Sequence, residues 1–248
     1  MMHILFVYAH PEPKSFTAAL LEEAKAVLTE DGHSFEVSDL YGERFNPVLD
    51  RHDFSTVADE DYFSVQGEQS LAEERDGYSD EIRREQARVA KADVIVFLFP
   101  LWWGGPPAIV KGWFERVMSY GFGYVDGARY DRGLFKGRSA LVCVPTGGTI
   151  ERFSEGGTYG TIRQVLWPFQ HCALKYTGLN ILDDFIAYAS PRVDQEQRVR
   201  YLAQWRDHLR AQLAQANKVH DPREIRRGAI STRPLQFDPH VVIASGAA

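Results

Sequence analysis

Cysteine is scarce. Cys143 and Cys172 are the only two in 248 residues, and neither belongs to a CxxC or Cys/His cluster of metal-binding spacing. A disulfide scaffold and a structural metal site are therefore excluded from the expectation. Basic excess is missing too: 28 Lys and Arg stand against 34 Asp and Glu, a net charge of −6. That balance argues against nucleic-acid partners and against attraction to anionic membranes. No apolar run reaches the roughly 18 residues of a membrane span. No basic leader precedes the first apolar run. Internal repeats, low-complexity tracts, GxGxxG and a P-loop are all absent, which disfavours a Rossmann dinucleotide site and an NTPase. These absences lead to an expectation of a reduced, cytoplasmic, soluble protein with no membrane insertion. Its length is enough to bury a core without staples.

Short apolar runs alternate with helix-period segments. The runs are His3–Ala9, Ser34–Leu40, Asp93–Phe99, Ser139–Val144 and Asn180–Ala189. The first, third and fourth are nearly continuous in apolar character, as strands covered on both faces are. Between them, Phe16, Leu20, Ala24, Val27 and Leu28 form one helical stripe, with Gly32 as a stop. Ile109, Val110, Trp113, Phe114, Val117 and Met118 form a second, opened by Pro106–Pro107. Ile162, Val165, Leu166, Phe169 and Ala173 form a third, with Pro168 as a kink. Val199, Leu202, Leu209 and Leu213 form a fourth, and a shorter helix is expected over about Asp80–Lys91. The pattern predicts an α/β, doubly wound, five-stranded parallel sheet of flavodoxin-like order 2-1-3-4-5, with helices on both faces. Its ligand is expected at the carboxyl ends of strands 1, 3 and 4.

Two stretches fit no βα unit. Asp50–Glu85 holds 12 acidic against 4 basic residues, more than the whole net charge, and reads as a solvated excursion. The main domain is expected to span 1–219. Residues 220–248, with Pro222, Pro234 and Pro239, read as a partly extended C-terminal arm on the body or on a partner subunit.

Three loops carry candidate chemistry. In AHPEPKSFTAAL, Ser15 caps the following helix, whose free N–H groups suit a phosphate, and His10 adds a hydrogen bond or charge. In FPLWWGGPP, the glycines let backbone approach a flat polar ring while Trp102 and Trp103 cover its face. In VPTGGTIERFSEGGTYGT, Thr146 and the glycine N–H groups offer contacts from the ring's other side. Each loop alone also reads as ordinary structure: a cap serine with a surface histidine, core tryptophans, a glycine-rich turn. Together they form a flavin-site pattern.

The stretches AHPEPKSF, SDLYGERFNPVL, FPLWWGGPPAIVKGWFERV, PTGG and VLWPFQ closely resemble the NAD(P)H:quinone reductases of the DT-diaphorase type, over about His3–Leu213. The resemblance implies a flavodoxin-like fold and a homodimer with active sites at its interface. It also implies a bound FAD and two-electron reduction of quinones by NADH or NADPH. Some relatives regulate potassium efflux systems as ancillary subunits. By position, His10, Ser15, Phe16 and Thr17 would hold the diphosphate and its neighbours. Pro100, Leu101, Trp102, Trp103, Gly104, Thr146, Gly147 and Gly148 would line the isoalloxazine, and Arg198 would lie near the adenine. Tyr124 and Asp126 would wall the substrate pocket from the other subunit.

Departures from the family pattern matter. Pro145 replaces the first Thr of TTGG and has no N–H to donate. Trp102 and Gly104 replace other ring-facing residues, and Asp126 stands where an aromatic is usual. The Tyr and His thought to relay charge in hydride transfer are here Phe153 and Tyr159. Phe153 donates no proton, so Tyr159 is the candidate catalytic residue, hydrogen-bonding the negative charge around N1 and O2 of a reduced ring. FAD is expected rather than FMN, and kinetics are expected to be ping-pong. Two alternatives remain open: a nitro, azo or free-flavin acceptor on the same fold, and an ancillary regulatory subunit of a membrane transporter.

Overall fold

The computed structural model describes residues 1–217. The expected C-terminal arm, 220–248, and the boundary at 219 lie outside the described residues. One parallel sheet organises the chain. Its strands are β1 (His3–Tyr8), β2 (Ser34–Asp39), β3 (Val94–Leu98), β4 (Ser139–Pro145), β5 (Asn180–Ile181) and β6 (Phe185–Ala187). The order is β2-β1-β3-β4-β5, with β6 also paired to β4. Register is continuous along the centre: Ile4 pairs Val94 and Val94 pairs Ser139.

The expected fifth strand is in two pieces, so the sheet has six strands and not five. Leu182 still donates its N–H to Ala140 O at 2.9 Å. At the next residue the ladder breaks, because Asp183 N–H turns to Gln212 Oε1 at 2.9 Å. Two adjacent carboxylates, Asp183 and Asp184, make this the least strand-like part of the run.

Alternation of side chains along each strand splits the core into two layers. Leu5, Val7, Ile95, Phe97, Ala140 and Val142 face α3 (Asp80–Lys91), α4 (Ala108–Val117) and α5 (Ile162–Phe169). Ile4, Phe6, Val94, Val96, Leu141 and Cys143 face α1 (Phe16–Glu30) and α6 (Gln195–Gln215). Trp205, outside the expected stripe, anchors α6 by donating Nε1–H to Leu20 O at 3.0 Å, while Val199 faces solvent. Pro168 sits inside α5, and the chain passes directly into a π-helical turn at Gln170–Leu174.

The acidic stretch is not a solvated excursion throughout. It contains α2 (Val65–Arg75), and Asp53, Glu68 and Glu85 are buried. Buried carboxylates need partners, and each has them. Arg116 donates Nε–H to Asp53 Oδ1 at 2.9 Å and Nη1–H to Glu81 Oε2 at 2.6 Å. Glu85 Oε2 accepts from Trp113 Nε1 at 2.8 Å and Ser38 Oγ at 2.6 Å, while Arg88 pairs with Oε1 at 2.7 Å. Ala58 N–H donates to Glu68 Oε2 at 2.8 Å.

Asp184 gives the fold a pH signature. Burial pushes its carboxyl up to about 6, against a hydrogen bond from Gln170. A raised folded-state pKa favours folding most below the unfolded value of about 3.9, and that advantage disappears as pH rises through about 6. Asp184→Asn is therefore expected to stabilise the protein by about 1–3 kcal/mol at pH 8. The gain should vanish near pH 4, as read by urea unfolding at both pH values.

Candidate functional site

The carboxyl ends of β1, β3 and β4 open on a cavity with two lobes that share Leu101, Thr146 and Gly147. The first lobe, about 670 Å³, is lined by His10, Ser15, Phe16, Thr17, Trp102 and Arg198 among others. The second, about 480 Å³, is lined by Trp103, Gly104, Gly148, Phe153 and Tyr159. Both volumes lie in the range of small-molecule sites, about 300–1,000 Å³.

The first lobe is built for an anion. Ser15 Oγ caps α1 by accepting Ala18 N–H at 3.1 Å. Among the described residues, Phe16 and Thr17 N–H make no internal hydrogen bond, as expected of a first helical turn. His10 Nδ1 accepts Glu12 N–H at 3.0 Å, and desolvation lowers the imidazole pKa. In that neutral tautomer Nε2–H remains a donor. Lys14 lies beside these groups. At the far end, Arg198 is held by Ser190 O at 3.2 Å and stands with Gln195 and Leu202 of α6.

The tryptophan loop behaves differently from expectation. The two indoles occupy different lobes: Trp102 packs near His10, ring centroids 5.9 Å apart, and Trp103 lines the second lobe. Trp102 N–H and Gly105 N–H bond each other's carbonyls at 3.1 and 3.0 Å. The two residues between them, Trp103 (φ 51°) and Gly104 (φ 73°), are both left-handed, the pattern of a type I′ turn. Glycine suits that conformation; tryptophan is strained there by about 1–3 kcal/mol. The indole is nevertheless fully exposed, 106%. Trp103→Asn is expected to raise stability by about 1 kcal/mol. The same change should weaken binding of any flat ring in the second lobe, checked by thermal melting and ligand titration.

The third loop is internally braced. Thr146 Oγ1 accepts Gly148 N–H at 3.1 Å, so this glycine N–H is not free for a ligand, whereas Gly147 N–H has no internal partner among the described residues. Pro145, lacking an N–H, still accepts Leu101 N–H at 3.1 Å. Phe153 is buried against Tyr159, centroids 5.1 Å apart. A Cβ on Gly148 would lie 2.6 Å from Phe153 Cε2 and 3.2 Å from Tyr159 Cε2. These two rings thus form a floor that only glycine permits.

Comparisons with known proteins identify the family. The model of the flavodoxin-like fold family matches residues 2–209. Mouse ribosyldihydronicotinamide dehydrogenase [quinone] is 38% identical over 209 residues, covering 84% of this chain and 90% of that protein. Guinea-pig NAD(P)H dehydrogenase [quinone] 1 is 37% identical over 206 residues, 83% of this chain and 75% of that one. The chain belongs to the flavodoxin-like quinone reductase family. A Klebsiella pneumoniae structure, provisionally assigned as a quinone reductase, superposes with a TM-score of 0.83 at 34% identity, covering 88% of this chain and 87% of the other.

Two expected residues do not reach the family's site within one chain. Tyr124 lines a separate cavity with Phe114 and Tyr176, and packs against Tyr176 at 5.9 Å. Asp126 is paired with Arg129 at 3.1 Å. Three cations escaped the sequence reading. Lys14 was in the quoted first loop, and Arg152 directly precedes Phe153. Arg192, which donates to Gly147 O, had no local signal; it arrives only because the turn after β6 lies beside the end of β4. Among the described residues no helix is long and apolar enough to cross a membrane.

Proposed function

We propose that the protein is an FAD-dependent oxidoreductase that takes a hydride from NADH or NADPH and delivers it to a quinone by a ping-pong mechanism. The supporting observation is the junction at Leu101, Thr146 and Gly147 between an anion-binding lobe and a flat aromatic lobe. Phe16 and Thr17 N–H, His10 and Lys14 suit the diphosphate, with Ser15 fixing the helix end that presents them. The first lobe also takes in Gln195, Arg198 and Leu202 of α6. FMN ends at its phosphate and leaves that part unused; the adenosine of FAD fills it. Pro100, Leu101, Trp102, Trp103 and Gly104 border the ring on one side, and Thr146, Gly147 and Gly148 on the other.

Bound flavin supplies the hydride carrier; the residues of this chain position its ring and set the field around it. Tyr159 donates its phenolic hydrogen bond to negative charge at the ring's pyrimidine edge. Phe153 supports Tyr159 from beneath. Reductant and acceptor both have to stack on the open face of the ring at the second lobe, so they bind in turn. The protein acts as a homodimer, in which Tyr124 and Asp126 of the partner subunit close this lobe. A reducing cytoplasm suits the free thiols of Cys143 and Cys172. Initial rates with menadione and NADH or NADPH test the reading. Parallel double-reciprocal lines are expected; intersecting lines contradict the ping-pong order, and no turnover contradicts the activity.

A further inference from the structure

We infer that the second lobe selects electron acceptors that carry a carboxylate next to the reducible ring. The inference rests on the quinone-reductase reading and names the substrate class of that same site. Its basis is a local reversal of charge. Many arginines are paired with acids, as Arg51 is with Glu68, Arg88 with Glu43 and Glu85, Arg116 with Asp53 and Arg206 with Glu23, while others, such as Arg198, are held by carbonyls alone. Arg152 and Arg192 both line the second lobe, and among the described residues neither forms an ion pair with a carboxylate. What distinguishes these two is that they line one lobe together, and two guanidiniums facing one concave site in a chain of net charge −6 suit an anion brought from outside. Among the described residues, no acidic side chain lines this lobe.

Each guanidinium is held in place by one neutral contact. Arg152 Nη1 donates to Tyr159 Oη at 3.3 Å, and Arg192 Nη1 donates to the Gly147 carbonyl. Their remaining donors are available, and a planar fork is matched to a carboxylate. Both flank the same aromatic walls, so the anion they bind is attached to the ring that enters the lobe. The phosphates of a dinucleotide, separated from its nicotinamide by a ribose, fit this requirement poorly. In the proposed dimer, the Asp126 brought by the partner subunit does not cancel the field, since Arg129 pairs with that side chain within its own chain.

The test compares two isosteric probes, anthraquinone-2-carboxylate and anthraquinone-2-carboxamide, by quenching of tryptophan fluorescence in the FAD-loaded protein. Wild type is expected to bind the carboxylate about tenfold more tightly at low salt, the combined worth of two partly exposed charge pairs. The preference should shrink in 0.5 M NaCl. It should fall to about one in R152Q/R192Q and persist in R152K/R192K, which keeps the charge. Equal binding of the two probes by wild type overturns the inference. So does a preference that survives R152Q/R192Q, including the case where that variant raises KM for NADH instead. The two failures are distinguishable. A protein that turns over quinones but binds both probes alike loses only the anion preference. A protein that takes up no FAD fails before the probes are compared, and it loses the flavin reading on which the anion preference rests.

Discussion

Arg116→Met is expected to cost about 3–5 kcal/mol of folding stability, a large part of the roughly 5–15 kcal/mol available to a typical protein. The guanidinium is buried and ties three separate segments to α4: Asp53, Glu81 and the Asn46 carbonyl, with the Phe45 ring 4.7 Å from its centre. Methionine fills similar volume but leaves the buried Asp53 carboxylate with only the half-exposed His52, 3.3 Å away, in place of the guanidinium. Lysine should rescue only in part, because one ammonium cannot reproduce a fork that serves partners in different directions. Urea unfolding at neutral pH reads both variants. A loss under 1 kcal/mol for Arg116→Met would mean that the excursion holds its place without this residue.

Gly148→Ala is expected to lower quinone-reductase kcat/KM about 100-fold while leaving most of the folding stability intact. The added methyl meets the edge of Phe153, which is buried and has little room to retreat, and then Tyr159. The two rings must shift within the second lobe by a substantial fraction of an ångström. Hydride transfer is sensitive on that scale: misplacement of about 1 Å costs on the order of 10²-fold. Unchanged kinetics would show that the Phe153–Tyr159 floor takes no part in positioning the reacting rings.

Much of the architecture was legible because burial on two faces writes itself into sequence. The runs at His3–Ala9, Asp93–Phe99 and Ser139–Val144 became β1, β3 and β4 within a residue at each end. The site followed from topology: loops after those strands must meet at one rim, and those loops held the capping serine, the tryptophans and the glycines. What escaped depended on tertiary partners. Nothing local tells that Asp53 and Glu85 are buried, since each is tolerable only because Arg116 or Trp113 arrives from another element. The break at Asp183 depends on Gln212, 29 residues away. Arg192 is 45 residues from the carbonyl it holds. Trp103 was singled out by its type, yet its left-handed backbone was hidden, since turn chemistry at that position favours asparagine or glycine.

In the proposed mechanism Tyr159 does not stand alone, as it did in the sequence-based expectation. Arg152 donates to the tyrosine oxygen, so the phenolic proton is directed away from the guanidinium and towards the lobe. The family's usual Tyr and His are replaced here by a neutral ring and a tyrosine backed by a cation.

The two joined lobes are the centre of this account, and flavin uptake tests them most directly. The protein would be incubated with equal concentrations of FAD and FMN, desalted, and its flavin released by acid and separated by chromatography. The account predicts a yellow protein carrying about one FAD per chain and little FMN. A protein that stays colourless, or that returns mainly FMN, would contradict it.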